Sequence, residues 1–160
     1  MASLHYKFAT MNSGKSTQLI QAHFNYLERG MHPLAMTPAI DDRFGVGVIS
    51  ARVGLELKVD VFSDSCDLFE MVKERHAKKH IDVFIVDEAQ FLTREQVYQL
   101  ARIVDEQDIP VMAYGLKTDF RGELFPGSYH LLCLAEKFEE LNPDIEVVAD
   151  YSDWGGYWTK

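Results

Sequence analysis

At 160 residues and 18.3 kDa the chain is about one domain long, enough to bury roughly two thirds of the surface its unfolded form exposes. Its composition, 47% hydrophobic and 26% charged, is that of a folded globular protein and excludes a disordered or fibrous one. Sixteen Lys and Arg against 25 Asp and Glu leave a net charge of -9, which opposes the counterion release that holds proteins on nucleic-acid backbones. No nucleic-acid polymer is expected as a partner, whereas a local cradle can still hold a small polyanion such as a nucleoside triphosphate.

The first segment, LHYKFAT, is short and apolar like a strand, and SGKSTQLIQAHFNYLERG then switches to helical spacing, with Leu19, Ile20, His23, Phe24 and Leu27 on one stripe. Gly30 is the expected stop. HPLAMTPA (32–39) predicts a second strand that runs into a polar, glycine-containing loop, IDDRFGVGVISARVG (40–54). LKVDVF (57–62) alternates as a strand, DLFEMVKERHAKK predicts an amphipathic helix, and DVFIVDEAQF (82–91) predicts an apolar strand ending in two acids. Thr93, three residues before Gln96, has capping-box spacing at the head of TREQVYQLARIVDEQ, and IPVMAYGL (109–116) gives one more buried strand. A last helix is expected over GSYHLLCLAEKFEEL (127–141). Beyond it, IEVV offers a further strand and DWGGYW a hairpin or a dangling end.

Strands separated by helices of this length imply parallel pairing, right-handed crossovers and helices on both faces of the sheet, so the fold class is α/β. The N-terminus lacks a basic start and an apolar run of signal-peptide length, and no segment offers about 18 uninterrupted apolar residues. The expected location is cytoplasmic, with no membrane partner. Cys66 and Cys133 have no CxxC spacing and the six histidines are scattered, so neither a disulfide framework nor a zinc site is expected.

Two stretches carry chemistry. FATMNSGKSTQLI supplies small residues whose backbone N–H groups can point at phosphate oxygens, with Lys15 to reach the β and γ phosphates and Ser16 as a hydroxyl for magnesium. The first glycine of the GxxxxGK[ST] pattern is replaced by Ala9, which reduces backbone freedom without removing a donor. The tripeptide GKS alone also occurs in surface loops by chance. Here the loop follows a predicted strand and opens a predicted helix, which is the context the motif requires. The second stretch is FIVDEAQF, whose strand delivers Asp87 and Glu88 to its C-terminal end, the edge at which open α/β sheets bind ligands. Asp87 is placed to orient magnesium and Glu88 to accept a proton from an attacking hydroxyl, although two acids there also fit a solvated strand-end cap.

Together with YGLKTDFRGELFPGS (114–128), these stretches bring a family into view. The chain resembles the type II thymidine kinases, a phosphate-loop family that phosphorylates thymidine with ATP. The resemblance runs over about residues 3–141 through MNSGKST, NYLERG, IDDRFG, VDEAQFLT and YGLKTDFRGELF. It implies a phosphate-loop (RecA-like) parallel sheet with helices on both faces, ATP and magnesium as cofactors, thymidine as substrate with deoxyuridine as the second substrate to test, and a homotetramer. It places the ATP phosphates on Ala9, Thr10, Met11, Asn12, Ser13, Gly14, Lys15 and Ser16, and completes the nucleotide and magnesium site with Asp87, Glu88, Ala89 and Gln90. Ser16 and Asp87 are the magnesium residues. Glu88 matches the proton acceptor that would deprotonate the 5'-hydroxyl, and Arg43, with Asp41 beside it, matches an arginine near the transferred phosphoryl group. Met11, Leu116, Phe120 and Phe125 match positions around the thymine pocket, and they also fit ordinary core or loop packing.

Members of the family continue past the last helix into a zinc-binding segment with paired cysteines and a loop that closes over thymidine. This chain instead reads NPDIEVVADYSDWGGYWTK after Leu141, with no cysteine after Cys133. The expectation is a kinase domain over residues 1–141, an atypical tail over 142–160, and no zinc. In that tail Trp154, Tyr157 and Trp158 offer either a short substitute lid stacked on the base or packing on the protein itself. Two other functions stay open: a non-catalytic ATP-binding relative, and a phosphate-loop ATPase acting on a macromolecule.

Overall fold

The computed structural model describes residues 1–9, 14–39, 47–51, 54–119 and 121–141. Among them seven strands form one sheet: β1 (Leu4–Ala9), β2 (Pro33–Pro38), β3 (Gly47–Ser50), β4 (Glu56–Phe62), β5 (Val83–Val86), β6 (Val111–Leu116) and β7 (Lys137–Glu140). Four helices join them: α1 (Lys15–Glu28), α2 (Leu68–Lys78), α3 (Arg94–Gln107) and α4 (Pro126–Leu134). The strand order is β3-β4-β2-β5-β6-β1-β7, and all neighbours are parallel except β3 against β4. Helices cover both faces of this α/β phosphate-loop fold, as the alternation of strands and helices predicts.

Strand β5 shows why the sheet forms. Val83 and Ile85 point to the face where Leu19 and Ile20 of α1 pack, while Phe84 and Val86 point to the face covered by α2, α3 and α4. All four are fully buried, so the strand reads as a continuous apolar run rather than an alternating one. Ordering its backbone costs about 1–2 kcal/mol per residue, and burying such side chains contributes about 1.5–3 kcal/mol each, so a strand of four residues offsets its ordering cost only because every side chain is buried.

Helix starts follow the expected chemistry. Asp67 caps α2 by accepting from Glu70 N, and Thr93 caps α3 in a reciprocal box: Gln96 N donates to Thr93 Oγ1 at 3.1 Å and Thr93 N to Gln96 Oε1 at 3.2 Å.

Three expectations are corrected. The segment 82–91 is strand only to Val86; Asp87 and Glu88 form a turn, and Ala89–Phe91 is one 3-10 turn. The last helix ends at Leu134, and Lys137–Glu140 pairs with β1 as an edge strand. Four residues of the expected loop 40–54 form β3, with Val48 and Ser50 exposed and Gly47 and Ile49 buried. No helix among the described residues is long and apolar enough to cross a membrane. The expected tail, 142–160, lies outside the described residues.

Candidate active site

Because β6 lies between β1 and β5, the segments leaving β1 and β5 flank the C-terminal end of β6. Ala9 ends β1 opposite Leu116 of β6, and Ala9 O accepts from Lys117 N at 3.1 Å. Gly14 caps α1 at φ 83°, a left-handed conformation that costs glycine little, and its carbonyl accepts from Gln18 N. Lys15 and Ser16 are therefore the first two residues of α1, at the positive end of its dipole.

Lys15 turns across the sheet end. Its Nζ donates to Asp87 Oδ1 at 2.5 Å and to Glu88 Oε1 at 3.3 Å. The lysine is 1% exposed and Asp87 4% exposed. Burial pushes the Lys15 ammonium towards its neutral form, but the charges of Asp87 and Glu88 outweigh it and hold its pKa above the ordinary lysine value. At Asp87 burial raises the pKa, opposed by the Lys15 charge. Asp87 N–H also donates to Met36 O at 2.9 Å, which ties the turn after β5 to β2.

Glu88 is half-buried and sits at φ 51°, ψ 40°, a left-handed backbone that few non-glycine residues adopt. The conformation presents both carboxylate oxygens to partners: Oε1 to Lys15 and Oε2 to the side-chain amide of Gln90 at 2.6 Å. Ala89 and Gln90 are buried in the 3-10 turn, and Gln90 Oε1 accepts from Leu116 N at 3.1 Å. Leu116 O accepts in turn from Ser128 Oγ at 2.5 Å and Tyr6 OH at 3.3 Å. Phe125 caps α4, its ring 5.6 Å from that of Phe91 in an edge-to-face arrangement.

The structure thus brings together Ala9, Gly14, Lys15, Ser16, Asp87, Glu88, Ala89, Gln90 and Leu116, with Phe125 on the rim beside Phe91. Thr10, Met11, Asn12, Ser13, Asp41, Arg43 and Phe120 lie outside the described residues. Sequence reasoning missed three contributors. Phe91 carried a signal, an aromatic three residues after Glu88, and the structure leaves it exposed. Gly115 and Gly127 carried little, because their importance is a close approach: a Cβ on Gly115 would stand 2.7 Å from Gln90 Oε1, and one on Gly127 would overlap Ala89 O and lie 2.8 Å from Gln90 O.

A buried ammonium at a helix N-terminus, facing two carboxylates at the end of a parallel strand one place removed in the sheet, defines the phosphate-loop class of nucleotide-binding α/β proteins. The family model described as thymidine kinase matches residues 2–145. The chain is 53% identical over 141 residues to a thymidine kinase of Photobacterium profundum, covering 88% of this chain and 73% of that protein. A thymidine kinase of Shewanella oneidensis is 52% identical with the same coverage, and one of Escherichia coli O157:H7 is 50% identical, with 69% of the relative covered. This chain belongs to the thymidine kinase family.

Proposed function

We propose that the protein transfers the γ-phosphoryl group of ATP to the 5'-hydroxyl of thymidine, giving thymidine monophosphate. The observation that carries the reading is the convergence of Lys15, Asp87 and Glu88 at one sheet edge in a chain of this family. Phosphoryl transfer asks chiefly for positioning and charge neutralisation. Residues 9–16 embrace the phosphates, and Lys15, already charged among acids, neutralises them. Glu88 orients the 5'-hydroxyl and accepts its proton, and Arg43 is the residue this reading assigns to charge on the transferred group. Met11, Asp41, Leu116, Phe120 and Phe125 are the residues this reading assigns to nucleoside binding.

The Ser16 hydroxyl and Asp87 carboxylate are hard oxygen donors at the head of α1 and the end of β5. They suit magnesium, which takes one or two protein oxygens and fills the rest of its shell with phosphates and water. When bound, the ion supplies neutralisation of charge developing on the phosphate oxygens. The reading includes ATP and magnesium, no zinc, a cytoplasmic homotetramer, and a kinase domain over residues 1–141.

The test is purified protein with ATP, magnesium and thymidine, compared with Glu88→Gln. Turnover by the unmodified protein that falls on substitution supports the reading, and equal rates overturn it. ATP binding by calorimetry with zero turnover would instead assign a non-catalytic relative. Deoxyuridine, metal analysis and light scattering check the substrate range, the absence of zinc and the tetramer.

A further inference from the structure

Gln90 is 1% exposed, yet both ends of its side-chain amide are engaged. The Leu116 N–H is a donor only and must meet the amide oxygen, so chemistry fixes which way the amide faces: the NH2 group is left pointing at Glu88 Oε2. A donor to a carboxylate makes a short, charge-assisted bond, here 2.6 Å. The remaining oxygen, Oε1, is held by Lys15. The carboxylate of Glu88 is thus fixed at both oxygens, one by Lys15 at the head of α1 and one by Gln90, whose own amide oxygen accepts from Leu116 N–H at the end of β6.

The turn that presents Gln90 is equally confined. Gly115 leaves room for Gln90 Oε1 and the Gln90 backbone N, where a Cβ would approach to 2.7 and 3.0 Å, and Gly127 leaves room for the carbonyls of Ala89 and Gln90. Strand β6 and helix α4 both go without a side chain at the points where they close on this turn. The left-handed backbone of Glu88 immediately precedes this confined turn.

We infer that Gln90 is a positioning residue: it holds the Glu88 carboxylate in register with β6, so that the base meets the substrate hydroxyl pre-oriented. The inference rests on the kinase reading of Glu88 and gives the Gln90 side chain a task different from contacting nucleotide.

The experiment is a double-mutant cycle on the full chain, measuring kcat and the KM values for ATP and thymidine in the unmodified protein, Gln90→Met, Glu88→Gln and the double variant. Gln90→Met keeps the shape and removes both hydrogen bonds. It is expected to lower kcat by about tenfold to a hundredfold, the size of a roughly 1 Å misplacement, with the KM for ATP within about threefold of its starting value. In the Glu88→Gln background the same change is expected to lower kcat by less than about threefold, because no base remains to be oriented. A fall of equal size in both backgrounds means a merely structural role and overturns the inference, as does an unchanged kcat. Gln90→Glu serves as the second variant where Gln90→Met fails to fold. It keeps an acceptor for Leu116 N–H and replaces the donor facing Glu88 with a like charge, so kcat is expected to fall although the contact with β6 survives; normal turnover overturns the inference. An unmodified protein that leaves thymidine unphosphorylated, or a Glu88→Gln variant as fast as it, overturns the kinase reading itself. A slow Glu88→Gln beside a normal Gln90→Met overturns only the role of Gln90.

Discussion

Lys15 Nζ and Asp87 Oδ1 stand 2.5 Å apart although 72 residues separate them in sequence, and neither side chain is more than 6% exposed. Removing the lysine leaves a carboxylate buried without its cation. Lys15→Met is expected to lower stability by about 3–5 kcal/mol and abolish kinase turnover. Lys15→Met with Asp87→Leu, which removes both charges, is expected to recover most of that stability with turnover still absent. Urea unfolding of the two variants, followed by circular dichroism, separates these outcomes.

Gly127→Ala introduces a Cβ against the backbone carbonyls of Ala89 and Gln90, which cannot rotate away as a side-chain tip could. A loss of about 1–3 kcal/mol is expected. The turn carrying Glu88 must shift to make room, so kcat is expected to fall as well. A melt and a steady-state assay on the same preparation check both.

The cap of α3 does more than close its own box. Gln96 Nε2 also donates to Ser63 O at 2.9 Å and Cys66 O at 3.2 Å. Thr93→Ala is expected to cost about 1 kcal/mol, as for other N-caps. Gln96→Ala is expected to cost more, about 2–3 kcal/mol, because it also strips a donor from two carbonyls. Chemical denaturation gives the ranking directly.

His23 supplies a pH dependence. Burial, and then the nearby charge of His32, hold its pKa below the ordinary 6.5, and its Nδ1 is buried without a hydrogen-bond partner among the described residues. A base with a depressed pKa in the folded state binds fewer protons than in the unfolded chain, so stability is lost as pH falls through about 6.5. His23→Phe is expected to flatten the fall in melting temperature between about pH 7 and 5.

Legibility in the sequence followed the range over which each feature is decided. Helix α1 and strands β1, β2, β4, β5 and β6 carry their own periodicity, and Thr93 with Gln96 announced a helix start that the structure forms. Strand β7 did not: Lys137, Phe138, Glu139 and Glu140 are all exposed, and only pairing with β1 makes them a strand. Four-residue β3, beginning at Gly47, was equally short of local signal. Within the candidate site, Lys15, Asp87 and Glu88 were readable because a motif concentrates them. The approach of Gln90 to Leu116, and of Gly127 to Ala89, joins residues 26 and 38 positions apart and exists only once β6 and α4 have docked.

The placement of β6 between the strands that supply the lysine and the acids bears on how the protein is made. A ribosome releases Lys15 first, Asp87 much later, and the strand that must slot between their supports last. Nucleotide capture is therefore an all-or-nothing property of the finished sheet, and ATP added during refolding should stabilise only molecules that have completed it, by an amount set by concentration over affinity. A fluorescent ATP analogue would then report, in real time, the moment β6 closes between β5 and β1.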